Sequence, residues 1–315
     1  MVWYDTPVYK STAVMQPERT VLAGSGSVNS RPGEHSGMNV TVLGVDPLGR
    51  KLARLCVQSG NEVNIHADDP AAAMDAIDAI ERRVGDGTLR GTALDATTNL
   101  SRAVSNADLV VITDTREPAR RFAAVEDAVD QQTVLATSQP SLSVAAVAET
   151  LTHPERVVGL RLDRGDTGVV EVVVTEETAP VTLDCAGSFV EAVDATPQFV
   201  ADAPGPLATR LVVIQEVEAM RLLAAGVAGV EALDSLLAAE PIGPLERADR
   251  AGLHRRLDTL EYLAREVGDR YEPPTLLADR VAAGKTGVDA GEGFYVWEQD
   301  EPARPAIAGP AFDHR

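Results

Sequence analysis

From Met38 onward the chain alternates short apolar runs with amphipathic stretches of helical length, and this alternation constrains the fold more than any other feature. Residues 38–43 read as an apolar strand, and 47–59 as a helix with Leu48, Ala53, Leu55 and Cys56 turned inward. A second strand at 62–66 and a second helix at 70–84 follow. Further strands are read at 108–113, 133–137, 157–162 and 169–174, separated by helical stretches, and 196–201 is the candidate last strand. The runs are short and bounded by turn residues, which favours strands over buried helix. Successive strand–helix units of this length predict a mostly parallel sheet covered on both faces, an α/β arrangement.

After Pro204-Gly205-Pro206 the texture changes to helices only. Residues 207–225 place Leu211, Ile214, Val217, Met220 and Leu222 at helical spacing, and four further helices are read at 230–239, 244–251, 254–267 and 275–283. The expected organisation is therefore a loose arm at 1–37, an α/β domain at 38–203, a helical domain at 204–297 and a trailing tail at 298–315. The arm carries balanced charges (Asp5, Glu18 and Glu34 against Lys10, Arg19 and Arg31) and a Gly/Ser/Pro-rich stretch at 22–37, a composition that reads as disorder. Its Gly24-Ser25-Gly26 lacks the strand and helix that would give such glycines a ligand to hold.

The charge balance narrows the function classes. Forty-eight acidic residues against 28 basic ones give a net charge of −20, and 25 of the 28 cations are arginine. A chain this acidic repels phosphate backbones, which excludes non-specific nucleic-acid binding. Two readings of the charge stay open, an ordinary acidic protein or adaptation to molar salt; the coincidence of lysine scarcity with carboxylate excess favours the halophilic one. No apolar run reaches the about 18 residues of a membrane span, and no basic segment precedes an apolar leader, so a cytoplasmic location is expected. Two cysteines and five scattered histidines make neither a disulfide framework nor a metal-ligand spacing.

A strand, a glycine turn, a helix and a second strand ending near acids form the dinucleotide-binding layout of a doubly wound Rossmann domain. The turn reads Gly44-Val45-Asp46-Pro47-Leu48-Gly49, with the first and third fingerprint glycines in place and Asp46 standing where the second belongs. That second glycine lets backbone approach a pyrophosphate, whereas a carboxylate there adds bulk and like charge. The same residues start a helix well, because Asp is a favoured N-cap and Pro a favoured first helical residue.

Several stretches, in order and at matching spacing across both domains, resemble the NAD-dependent 3-hydroxyacyl-CoA dehydrogenase family. They are Ser141-Leu142-Ser143-Val144, Pro154-Glu155-Arg156-Val157-Val158-Gly159-Leu160, Gly243-Pro244-Leu245-Glu246-Arg247-Ala248-Asp249, Glu261-Tyr262-Leu263 and Gly293-Phe294-Tyr295. The resemblance implies a Rossmann domain, a helical dimerising domain, NAD as cofactor, a CoA thioester held between the domains, and a homodimer. It also implies site positions. The family's general base, a histidine after Gly-Leu, falls on Arg161, and the glutamate that orients it falls on Glu171. Cofactor contacts fall on Gly44, Gly49 and Glu117. The first serine of the substrate-binding pair falls on Pro140, with the second kept as Ser141, and an asparagine falls on Thr209 ahead of Arg210. The ribose-binding acid falls on Ala67, with Asp68 one place late. The chain thus resembles a divergent member with a degenerate active site. The expected function is 3-hydroxybutyryl-CoA dehydrogenase-like with altered or lost activity, or a non-catalytic partner retaining the fold. Of the histidines near these positions, His153 reads as a solvent residue and His66 as a strand-end surface residue able to hydrogen-bond near the ribose.

Overall fold

The computed structural model describes residues 37–84, 94–113, 117–162, 168–237 and 242–307, so the predicted arm falls, apart from Gly37, outside the described residues. The chain divides into two compact units between Ala203 and Pro204.

The first unit runs β1 (Asn39–Leu43), α1 (Pro47–Gln58), β2 (Glu62–His66), α2 (Pro70–Val84), β3 (Leu94–Thr97), α3 (Leu100–Val104), β4 (Leu109–Ile112), α4 (Pro118–Glu126), β5 (Val134–Thr137), α5 (Val144–Ala148), β6 (Val157–Leu162), β7 (Val169–Val174), α6 (Pro180–Ala192) and β8 (Thr196–Ala201). They build one sheet in the order β3-β2-β1-β4-β5-β6-β7-β8. Pairs from β3 through β6 are parallel, β7 runs antiparallel to β6, and β8 is parallel to β7. The first six strands have the doubly wound Rossmann order, which opens a crevice where the order reverses between β1 and β4.

Strand β4 explains why helices cover both faces. Its four residues are fully buried; Leu109 and Val111 join one hydrophobic cluster, with Leu52 and Cys56 of α1, while Val110 and Ile112 join the other, with Phe122 and Val125 of α4. Period-two alternation sends neighbours to opposite faces, so an all-apolar strand needs two apolar layers. Strand β3 was not anticipated. Its sequence Leu-Asp-Ala-Thr lies at the sheet edge, no residue in it is fully buried, and so it has no apolar run to betray it.

The second unit contains α7 (Leu207–Ala224), α8 (Val230–Ser235), α9 (Pro244–Ala251), α10 (Leu253–Val267) and α11 (Thr275–Ala282). It is helical as expected, with one correction. Strands β9 (Tyr295–Glu298) and β10 (Glu301–Pro305) pair antiparallel, so the predicted tail at 298–315 begins as a hairpin rather than trailing. Gln299 and Asp300 make the turn with φ of 53° and 65°, the backbone a two-residue hairpin demands. Neither is a glycine or asparagine, and the charged, proline-bearing β10 does not alternate, which hid the hairpin from pattern reading.

This unit is organised around two buried aspartates. Asp249, 1% exposed, accepts from the backbone N–H of Phe294 (2.8 Å) and Tyr295 (2.9 Å) and from the Trp297 indole (2.9 Å). Gly293 passes so close to this carboxylate that a Cβ there would collide with it. Asp234 caps α9 by accepting from Leu245 and Glu246 N–H at 2.8 and 3.0 Å, and also takes the Tyr295 hydroxyl at 2.9 Å. Among the described residues, no helix is long and apolar enough to cross a membrane.

Candidate functional site

The carboxyl ends of β1, β2 and β4 surround a cavity of about 520 Å³ whose lining includes Gly44, Asp46, His66, Asp68, Arg121 and Gln139. Gly44 makes the turn out of β1 at φ 124°, in the left-handed region, and donates its N–H to the His66 carbonyl at 3.1 Å. Gly49 lies one turn into α1, where a Cβ would strike the Gly44 carbonyl oxygen. The first and third fingerprint glycines therefore keep their structural tasks.

The second position does not. Asp46 is the N-cap of α1, with φ −64° and ψ 172°, and its carboxylate accepts from Gly49 N–H at 2.7 Å; Pro47 follows as the first helical residue. A helix N-terminus leaves its first N–H groups without intrahelical partners, which is why it attracts phosphate. Here the chain's own carboxylate takes that donor. The strand–turn–helix cradle fits a dinucleotide, and the Asp46 carboxylate stands at its helix N-terminus.

The end of β2 also lines this cavity. Ala67 is 3% exposed and offers no carboxylate, and Asp68, exposed in the cavity lining, has an oxygen 3.5 Å from the Arg121 guanidinium. Arg121 also lies 3.3 Å from His66 Nδ1. Because a guanidinium only donates, Nδ1 accepts and the ring proton is assigned to Nε2. His66 is 4% exposed rather than on the surface, and burial first, then the Arg121 charge, lowers its pKa below the ordinary value, with Asp68 opposing. His66 is thus a neutral hydrogen-bond acceptor. Glu117 stands at the start of α4 with φ 55°, largely exposed and 3.1 Å from Arg120; it does not line the cavity.

Arg161 and Glu171 are directly opposed in the antiparallel β6–β7 register, on the same face of the sheet. Both are buried, at 6% and 9% exposure. The Arg161 guanidinium donates to the Thr137 carbonyl at 3.2 Å and to the Leu142 carbonyl at 2.7 Å, tying the end of β5 to the loop before α5. In that loop Pro140 and Ser141 are exposed, and Ser143 caps α5 through Ala146 N–H at 3.1 Å. His153 is half-exposed, and its Nδ1 lies 3.1 Å from Glu155. In the helical unit, Arg210 packs on Tyr271, its Nε 3.3 Å from the phenol oxygen.

Three residues, two just past β5 and one on α4, escaped sequence reading. Ser138 directly follows β5, is 2% exposed, and its hydroxyl has no partner among the described residues. Gln139 lines the cavity and donates its amide to the Thr113 carbonyl. Arg121 reaches the mouth from α4, with no sequence spacing that ties it to β2. The signal available for Ser138 and Gln139 was their position just past the carboxyl end of a parallel strand, where such folds bind ligands.

A doubly wound sheet with a glycine turn at its switch point, followed by a helical domain, defines a dinucleotide-dependent oxidoreductase architecture. The chain belongs to the 3-hydroxyacyl-CoA dehydrogenase family. Residues 39–203 match the family's NAD binding domain and 205–297 its C-terminal domain, and the cofactor of this domain type is NAD. The chain is 28% identical over 277 residues to a probable 3-hydroxybutyryl-CoA dehydrogenase of Deinococcus radiodurans, covering 82% of this chain and 99% of that one. It is 25% identical over the same length to the 3-hydroxybutyryl-CoA dehydrogenase of Clostridioides difficile, again covering 82% and 99%. Among solved structures it is similar to M. tuberculosis FadB2, with TM-score 0.74, 26% identity, and coverage of 83% of this chain and 100% of that chain.

Proposed function

We propose that this chain is a 3-hydroxyacyl-CoA dehydrogenase homologue that has lost the family's acid–base step and acts as a binding protein for NAD and an acyl-CoA-type small molecule. The observation that carries this reading is Arg161, buried on two backbone carbonyls where the resemblance calls for a general base. An arginine stays protonated at any physiological pH and cannot take a hydroxyl proton. NAD, when bound, supplies the hydride acceptor; the protein must supply the proton acceptor, and loss of a positioned base removes about 10²–10⁴-fold in rate. Arg161 instead orders the loop carrying Ser138 and Gln139.

The second reading is an altered dehydrogenase, favoured by Glu171, the carboxylate kept opposite Arg161. Nicotinamide absorbance with acetoacetyl-CoA in molar KCl separates the two. No turnover above background supports the binding protein; turnover abolished by Glu171→Gln supports the altered enzyme. We also propose that the acidic surface reflects a molar-salt cytoplasm and that the chain forms a homodimer through the helical unit, where Leu211 of α7 is 69% exposed. Light scattering in high salt that returns a mass near 33.3 kDa rejects the dimer.

A further inference from the structure

Resting on the reading of the β1–β2–β4 mouth as the nucleotide site, we propose that Asp46 makes the phosphates the weak part of any nucleotide bound there. The adenosine half then carries the affinity, and binding of the phosphorylated part strengthens with salt. An ordinary nucleotide turn does the opposite on both counts, because free N–H groups and the helix dipole draw the pyrophosphate in.

The geometry supports this at two ranges. At contact range, Asp46 already satisfies the Gly49 N–H, so an incoming phosphate must displace a carboxylate or sit beside it. Across the mouth, Asp68 and Asp69 add two further carboxylates to the lining. Among the described lining residues, Arg121 is the cation that faces them, and it is already engaged by Asp68 and His66. His66 is held neutral and contributes no compensating charge. The adenosine end meets different chemistry: the His66 ring, the small Ala67 and Ala72, and the Asp68 and Asp69 carboxylates, which can accept from ribose hydroxyls without repelling anything. Salt distinguishes the ranges. At molar ionic strength the Debye length falls to about 3 Å, which screens Asp68 and Asp69 across the mouth but screens a contacting carboxylate far less.

The test is titration calorimetry on the full chain with adenosine, AMP, ADP-ribose and NAD, at about 0.1 M and about 2 M KCl, reading the ratio of ADP-ribose to adenosine affinity. Asp46→Asn removes the charge but keeps a capping acceptor, so the helix start survives. For the native protein at low salt, adenosine binds at least as tightly as ADP-ribose, and high salt raises the ratio. Asp46→Asn raises the ratio at low salt by roughly tenfold, the scale of one unit-charge repulsion removed near a protein surface, and leaves adenosine affinity unchanged. ADP-ribose binding the native protein tenfold more tightly than adenosine at low salt overturns the proposal, as does a ratio indifferent to Asp46→Asn. In either of those cases NAD still binds and the nucleotide-site reading stands. If no nucleoside binds either protein at either salt, that reading falls and the proposal with it.

Discussion

Asp249 and Asp46 are both carboxylates that accept backbone N–H groups, yet they stand in opposite relations to the family pattern. Asp249 ends the Gly-Pro-Leu-Glu-Arg-Ala-Asp stretch that carries the resemblance, and it gathers Phe294, Tyr295 and Trp297 into the second unit's core. Asp46 breaks the fingerprint and caps its own helix in the nucleotide mouth. The stretches by which the family is recognised in the helical unit, Asp249 foremost, therefore serve packing. Family membership in this chain testifies to the fold more strongly than to the reaction.

That contrast breaks if Asp249 proves dispensable. Asp249→Ala leaves three buried donors without an acceptor, each costing about 1–3 kcal/mol, so denaturant unfolding should show a loss of about 3–5 kcal/mol. A loss under about 1 kcal/mol would mean that the hairpin is held by its aromatic packing alone. Arg161 lies between the two cases: it stands where the resemblance expects a base, and it ties the end of β5 to the loop before α5. Arg161→Ala removes the hydrogen bonds to the buried Thr137 carbonyl and the half-buried Leu142 carbonyl and should cost about 2–3 kcal/mol, more than Glu171→Gln, which keeps shape and acceptor. Equal, small losses from both would weaken the case that Arg161 orders the loop after β5.

What was legible in the sequence follows the same division. The central strands are apolar on both faces, so β1, β4 and β5 announced themselves, as did the glycine turn, whose demands on φ and close packing are strict. Edge strand β3 and strand β10 bury little and carry charge, so no hydrophobic period marks them. At the site, the residues at the positions where the resemblance expects a base and a ribose acid, Arg161 and Ala67, could be read one by one, because each is a local feature of the sequence. The partners of His66 could not be read. Arg121 comes from α4, 55 residues away, and only the fold brings the two together. The destination of the Arg161 guanidinium was hidden for the same reason.

The helical unit also offers a pH test. Glu216 of α7 is 1% exposed, 2.8 Å from Arg256, and burial pushes its carboxyl up to about 7 although Arg256 and Arg247 oppose the shift. With a folded pKa above the unfolded value of 4.5, the folded state holds the proton more tightly. Its contribution is fully present below about pH 4.5 and is lost as pH rises towards about 7, at a slope of at most about 1.4 kcal/mol per pH unit. Unfolding followed across this range should show Glu216→Gln flattening that slope. A native profile unchanged by the substitution would mean that Arg256 holds the carboxylate ionised throughout.

The smallest expected effect sharpens the comparison most. If Asp46 serves only to start α1, its removal should follow the energetics of an N-cap. Asp46→Ala should cost about 1 kcal/mol and Asp46→Gly only a few tenths. The glycine variant also restores the G-x-G-x-x-G spacing at almost no structural cost, so any change in nucleotide binding it produces can be assigned to the carboxylate rather than to a damaged helix. Thermal unfolding of the two variants, measured without nucleotide, checks this directly. A loss of about 3 kcal/mol or more from either would show Asp46 to be a structural hub of the same kind as Asp249. Asp46 would then serve stability where the family's turn carries its second glycine.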